Sequence, residues 1–128
     1  MSGPARAGCL IYALNLSTLA GFYETVLGMK RLHATEEIVV LQSPDMQLLV
    51  HAIPPQYAEG ITISSPPEPR EEAALKFFFT VPSLEVAGSQ MAALGGGSLP
   101  GSWDGPGFRV RNAFDPEGNI FQLREPLE

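Results

Sequence analysis

Apolar positions in this chain alternate between two spacings, and the alternation occurs twice. The run from Cys9 to Leu16 is nearly continuous and predicts a buried strand. From Thr18 to Leu27 the apolar residues Leu19, Phe22, Tyr23, Val26 and Leu27 recur at helical spacing, with Ser17 as N-cap and Gly28 as stop. Arg31–Ala34 and Ile38–Gln42 then read as strands, Ser43-Pro44-Asp45 as a turn, and Gln47–Ile53 as a further strand ending at Pro54-Pro55. Residues 54–70 hold five of the twelve prolines and predict an irregular connection. The order then returns. Leu75–Val81 predicts a strand with Lys76 embedded in it. Ser83 caps a helix to Leu94, which Gly95-Gly96-Gly97 stops. A short strand near Ser98, a loop holding Trp103 and strands Phe108–Phe114 and Ile120–Arg124 complete the chain. Between the last two strands lies Asp115-Pro116-Glu117-Gly118-Asn119, a hairpin turn in which Pro presets one φ and Gly supplies a positive one.

Both predicted helices end in Leu-Gly, at Leu27-Gly28 and Leu94-Gly95, and both open a strand-helix-strands series, which suggests an internal repeat. With 128 residues the chain forms one domain (1–128), in which module one spans about 8–54, a connection about 55–74 and module two about 75–125. Hydrophobic residues make up 45% and charged residues 17%, the composition of an ordinary globular protein. The eight basic residues are scattered in a chain of net charge −6, which argues against nucleic acid as a partner. No apolar run approaches membrane-spanning length, and Met1–Gly8 is too short and weakly charged to lead a signal peptide. Those readings predict a cytoplasmic protein without membrane partners. The lone Cys9 cannot form an intramolecular disulfide and reads as a small buried hydrophobe, with a Cys9–His51 couple left open.

With these pieces in place the chain resembles the vicinal oxygen chelate superfamily, which includes glyoxalase I, bleomycin-resistance proteins and extradiol dioxygenases. The resemblance rests on the first strand, on Phe22-Tyr23 followed by Val26-Leu27-Gly28, on Leu75–Val81 with a helix ending in Gly95-Gly96, and on Asp115–Asn119. It implies an α+β fold of two βαβββ modules forming a cupped mixed sheet with a central cavity, commonly assembled as a homodimer. In the enzymes of the superfamily that cavity holds a divalent metal on His and Glu side chains. The corresponding positions here are Gly8, Gln47 or Leu49, Lys76 and Gln122, so the resemblance implies that no metal or other cofactor is held in the usual way.

Among the residues that would line the cavity, Lys76 reads either as a strand-end lysine reaching solvent or as an anion anchor or desolvated base. His51 reads as a strand-end histidine, a hydrogen-bonding wall residue or a base, whereas His33 reads as surface. Gln47 is one of the two candidates, with Leu49, for the slot near the end of the first module, and Gln122 faces away from Leu123 and toward the cavity. Tyr12, Phe78 and Trp103 supply apolar wall, with Trp103 at the pocket mouth. Arg109 and Arg111 share a strand face and form either a carboxylate clamp or a solvated edge. No Gly-x-Ser-x-Gly, Cys-x-x-Cys or His-Glu-x-x-His motif is present.

The leading expectation is a glyoxalase/bleomycin-resistance-like protein that binds an anionic or carbonyl-bearing small molecule without the usual metal. The alternative is a lyase, isomerase or dioxygenase, either dependent on a divalent metal or metal-free with His51 and Lys76 as catalytic residues. A third is a subunit whose cavity is vestigial.

Overall fold

The computed structural model describes residues 5–127, so the first half of the leading segment read against a signal peptide, Met1 to Pro4, lies outside the described residues. The chain divides into two compact units at Thr62/Ile63.

The first unit carries β1 (Gly8–Ala13), α1 (Leu16–Val26), β2 (Lys30–Ala34), β3 (Ile38–Gln42), β4 (Gln47–Ala52) and the single turn α2 (Pro55–Ala58). Its sheet runs β1-β4-β3-β2, with β1 parallel to β4 and the other neighbours antiparallel. Alternation sorts the side chains. Ile11, Ala13, Val39, Leu41, Leu48 and Val50 are buried on one face, and α1 packs there through Leu19, Phe22, Tyr23 and Val26. The helix begins two residues earlier than the sequence predicts. Asn15, not Ser17, is the N-cap, its Oδ1 accepting from the Thr18 N–H at 3.1 Å. Gly28 closes it at φ 62, the left-handed conformation a Cβ disfavours.

The second unit carries β5 (Phe78–Thr80), α3 (Leu84–Ala93), β6 (Gly97–Ser98), β7 (Trp103–Gly105), β8 (Phe108–Phe114) and β9 (Ile120–Pro126). The sheet order is β5-β9-β8-β6 with β7 pairing β8, and β5 is parallel to β9. Phe79, Val81, Ala113, Phe121 and Leu123 are buried on the face that takes α3 through Ala87 and Met91. Phe77, Phe79 and Phe121 form an aromatic cluster with centroids 5.3 to 6.4 Å apart. Ser83 caps α3 as predicted, accepting from the Val86 N–H at 3.1 Å. A second acceptor arrives from β9, where Glu125 takes the Leu84 N–H at 2.8 Å and places a carboxylate at the helix N-terminus.

Two sequence expectations are corrected here. The strand predicted over Leu75–Val81 is only Phe78–Thr80, so Lys76 lies outside any strand. The loop expected around Trp103 contains β7, which gives the second module one strand beyond βαβββ. Both sheets are mixed, and no closed barrel forms among the described residues. No described helix is long and apolar enough to cross a membrane.

Candidate functional site

The Asp115–Asn119 turn sets the register of β8 against β9. Asp115 Oδ1 accepts from the N–H groups of Glu117 and Asn119 at 2.9 and 3.0 Å, and Oδ2 accepts from Asn119 Nδ2 at 2.8 Å. Gly118 stands at φ 85 and donates to the Asp115 carbonyl. With the turn fixed, Asn112 lies opposite Gln122 and Val110 opposite Arg124, while Phe78 lies beside Gln122 from the other flank. Trp103 pairs with Val110 and Gly105 with Phe108. Phe78, Trp103, Phe108, Asn112, Gln122 and Arg124 therefore share the sheet face opposite α3. Phe78 and Trp103 are about half exposed there, at 53% and 47%.

Arg124 is the centre of this face. Its guanidinium carbon lies 3.7 Å from the Phe78 ring centroid and 4.5 Å from that of Phe108, residues on the two strands flanking β9. The close approach of Phe108 depends on Gly105, where a Cβ would sit 2.5 Å from the Phe108 ring. Arg124 Nε is buried without a hydrogen-bond partner, and so is Asn112 Oδ1. No acidic side chain pairs with Arg124 among the described residues. Two rings thus flank a partly buried cation that has no ion-pair partner among the described residues, and an anion is the partner that would suit such a group. Sequence reasoning missed Arg124, although period-two alternation from Gln122 places it on the same face.

A pocket of about 140 Å³ opens beside this face, lined by Arg70, Glu71, Leu75, Lys76, Leu99, Asn112 and Ile120 among others. Lys76 is exposed at its rim, as in the reading of a lysine that reaches solvent, and has no ion pair among the described residues.

In the first unit, Tyr12, Gln47 and His51 lie on the sheet face opposite α1. Tyr12 and His51 are register partners whose rings meet edge to face at 5.6 Å. His51 Nδ1 lies 2.7 Å from the Ala52 carbonyl oxygen, which can only accept. The neutral ring therefore carries its proton on Nδ1 and leaves the Nε2 lone pair available. Gln47 Nε2 donates to Gln42 Oε1 at 3.0 Å. Structure thus brings Tyr12 to His51, and Phe78 to Gln122 with Trp103 on the same face, each set within its own unit.

The arginine clamp does not form. Arg109 is held by Asp104 at 3.0 Å, whose hydrogen bond and charge raise its pKa, and Arg111 donates to the Leu99 carbonyl at 2.9 Å. The donor set at the four metal positions is also poor for a dication. Gly8 offers no side chain, and a Cβ there would sit 2.8 Å from the Gln47 carbonyl oxygen. Lys76 is cationic and Gln122 a neutral amide. Among the described residues no three His, Cys, Asp or Glu side chains gather as a metal site.

No protein-family model and no curated protein sequence matches the chain. Solved structures do. A glyoxalase/bleomycin resistance protein/dioxygenase family enzyme from Burkholderia phytofirmans PsJN superimposes with TM-score 0.71 at 15% identity, over 94% of this chain and 98% of that one. A glyoxalase-related enzyme from Fulvimarina pelagi gives 0.65 at 20% identity, over 93% and 86%. A variant of the fosfomycin resistance protein FosX from Listeria monocytogenes, complexed with Mn(II) and 1S,2S-dihydroxypropylphosphonic acid, gives 0.66 at 11% identity over 98% and 91%. The chain has the fold of these glyoxalase, bleomycin-resistance and dioxygenase proteins.

Proposed function

We propose that the protein binds a small organic anion, or a carbonyl-bearing molecule, on the exposed sheet face of its second unit, without the dication used by enzymes of this fold. The observation that carries the reading is Arg124, flanked by Phe78 and Phe108 and lacking an acidic partner among the described residues. Its guanidinium offers N–H donors to a carboxylate, Gln122 adds an amide beside it, and Phe78 and Trp103 supply apolar surface for the rest of the ligand. The donor set at the metal positions supports a role that depends on these side chains instead. The test is calorimetric titration with hexanoate and with hexanol. Saturable binding of the acid, absent for the alcohol and weakened in Arg124→Gln, supports the reading; equal behaviour of acid and alcohol removes it.

A second reading, metal-free acid/base catalysis, rests on a different observation. His51 holds its proton on Nδ1 toward Ala52, which leaves Nε2 as a base beside Tyr12. A turnover whose pH profile loses one limb in His51→Ala would establish it, and a profile unchanged by that substitution would end it. A homodimer belongs to the proposal as well, since Leu10, Tyr12 and Leu32 leave apolar area exposed on the first unit. Light scattering across a concentration series measures it.

A further inference from the structure

The pocket beside Arg124 is too small for a whole ligand. Small-molecule sites run to about 300–1,000 Å³, whereas a cavity of about 150 Å³ takes a group the size of benzene. At about 140 Å³ this pocket holds one end of something larger. Its lining is divided by chemistry. Arg70, Lys76 and the Asn112 amide are polar, Glu71 carries one negative charge against the two cations, and Leu75, Leu99 and Ile120 are apolar. Such a lining suits an anionic group attached to hydrocarbon.

One wall is anchored independently of any ligand. The Arg70 N–H donates to the Gly118 carbonyl at 2.8 Å, and the Glu68 carbonyl oxygen occupies the place where a Cβ of residue 118 would stand. The 68–70 segment is thereby fastened to the Asp115–Asn119 turn, and Arg70 is carried to the pocket on backbone contacts.

The pocket also has a defined place relative to Arg124. It is bordered by Ile120 and by Asn112, the register partner of Gln122, and Arg124 lies two to four residues farther along β9. At about 3.3 Å per residue the separation is roughly 7–13 Å. Resting on the reading of Arg124 above, we propose that the ligand is an elongated diacid, one carboxylate paired with Arg124 and the other with Arg70 and Lys76, with an apolar spacer along Gln122 and Phe78.

The experiment titrates the full chain with adipate, suberate and sebacate, and with the monoacid of matching length in each case: hexanoate, octanoate and decanoate. At least one diacid should bind tenfold or more tightly than its monoacid. In the double variant Arg70→Gln/Lys76→Gln that ratio should fall to about one. Both side chains are exposed, and a thermal melt checks that the variant folds. If every diacid binds no better than its monoacid while the monoacids still bind, the second anchor is wrong and the Arg124 reading stands. If neither series binds, both are overturned.

Discussion

The guanidinium of Arg124 lies 3.7 Å from the centre of the Phe78 ring, two residues that belong to parallel neighbouring strands. The contact keeps a cation on a largely apolar surface and orients it. A lysine at this position would retain the charge but lose the planar stacking and the paired N–H donors. Arg124→Lys and Arg124→Gln should therefore both weaken hexanoate binding, the second by about tenfold or more, as expected for loss of a charged hydrogen bond of about 1.5–3 kcal/mol. Equal affinity of wild type and Arg124→Gln in a titration would remove Arg124 from the site.

Gly105 is where the position of Phe108 is decided. Gly105→Ala should push the Phe108 ring off its place, with a cost of about 1–3 kcal/mol in urea unfolding from overpacking. Because Trp103 lies on the same strand, its fluorescence should shift as well. Unchanged stability and emission would mean that the ring moves aside freely.

The Asp115 carboxylate accepts three hydrogen bonds inside the β8–β9 turn. Asp115→Ala should lower stability by about 3 kcal/mol, since it leaves buried N–H groups without acceptors. Equilibrium denaturation measures this directly, and a loss well under 1 kcal/mol would contradict the assignment.

Loading with Zn, Ni, Mn or Fe(II) should leave less than stoichiometric metal after desalting, as elemental analysis can determine. Gly8→His should not create a site, because its Cβ would stand 2.8 Å from the Gln47 carbonyl oxygen. One equivalent retained by the wild type and lost in His51→Ala would show that a rearranged site exists.

Burial pushes the Cys9 thiol up from its ordinary value. The folded state therefore keeps its proton where the unfolded chain has begun to lose it. Stability from this group is present below the unfolded thiol pKa and is lost as pH rises through the folded one. Alkylation by iodoacetamide should be slower than for a free thiol at alkaline pH, and equal rates would contradict the shift.

Much of the architecture is legible in local sequence. Alternation in Phe108–Phe114, the Asp115–Asn119 turn and the glycines after each helix act over a few residues, and the strands and stops follow from them. Helix entry is less legible, because Asn15 and Ser17 are both good caps and the choice depends on where α1 meets its sheet. The site is legible only in part. Gln122 faces away from Leu123 as alternation predicts, and Phe78 lies beside it; Tyr12 and His51 meet. Arg124 is missed because its significance comes from Phe78 and Phe108, which are 46 and 16 residues away in the chain. The start of the strand after Lys76 is misread because three consecutive phenylalanines make the segment look like strand from Leu75 onward, while β5 begins only at Phe78.

Each unit pairs its first strand in parallel with its last, β1 with β4 and β5 with β9. Every ladder among the described residues is thus completed within one half of the chain, and the interval from Pro54 to Lys76 contributes to none. A proteolytic nick in that interval would sever no strand pairing. The same independence lets one half change its surface chemistry without altering the hydrogen-bond register of the other.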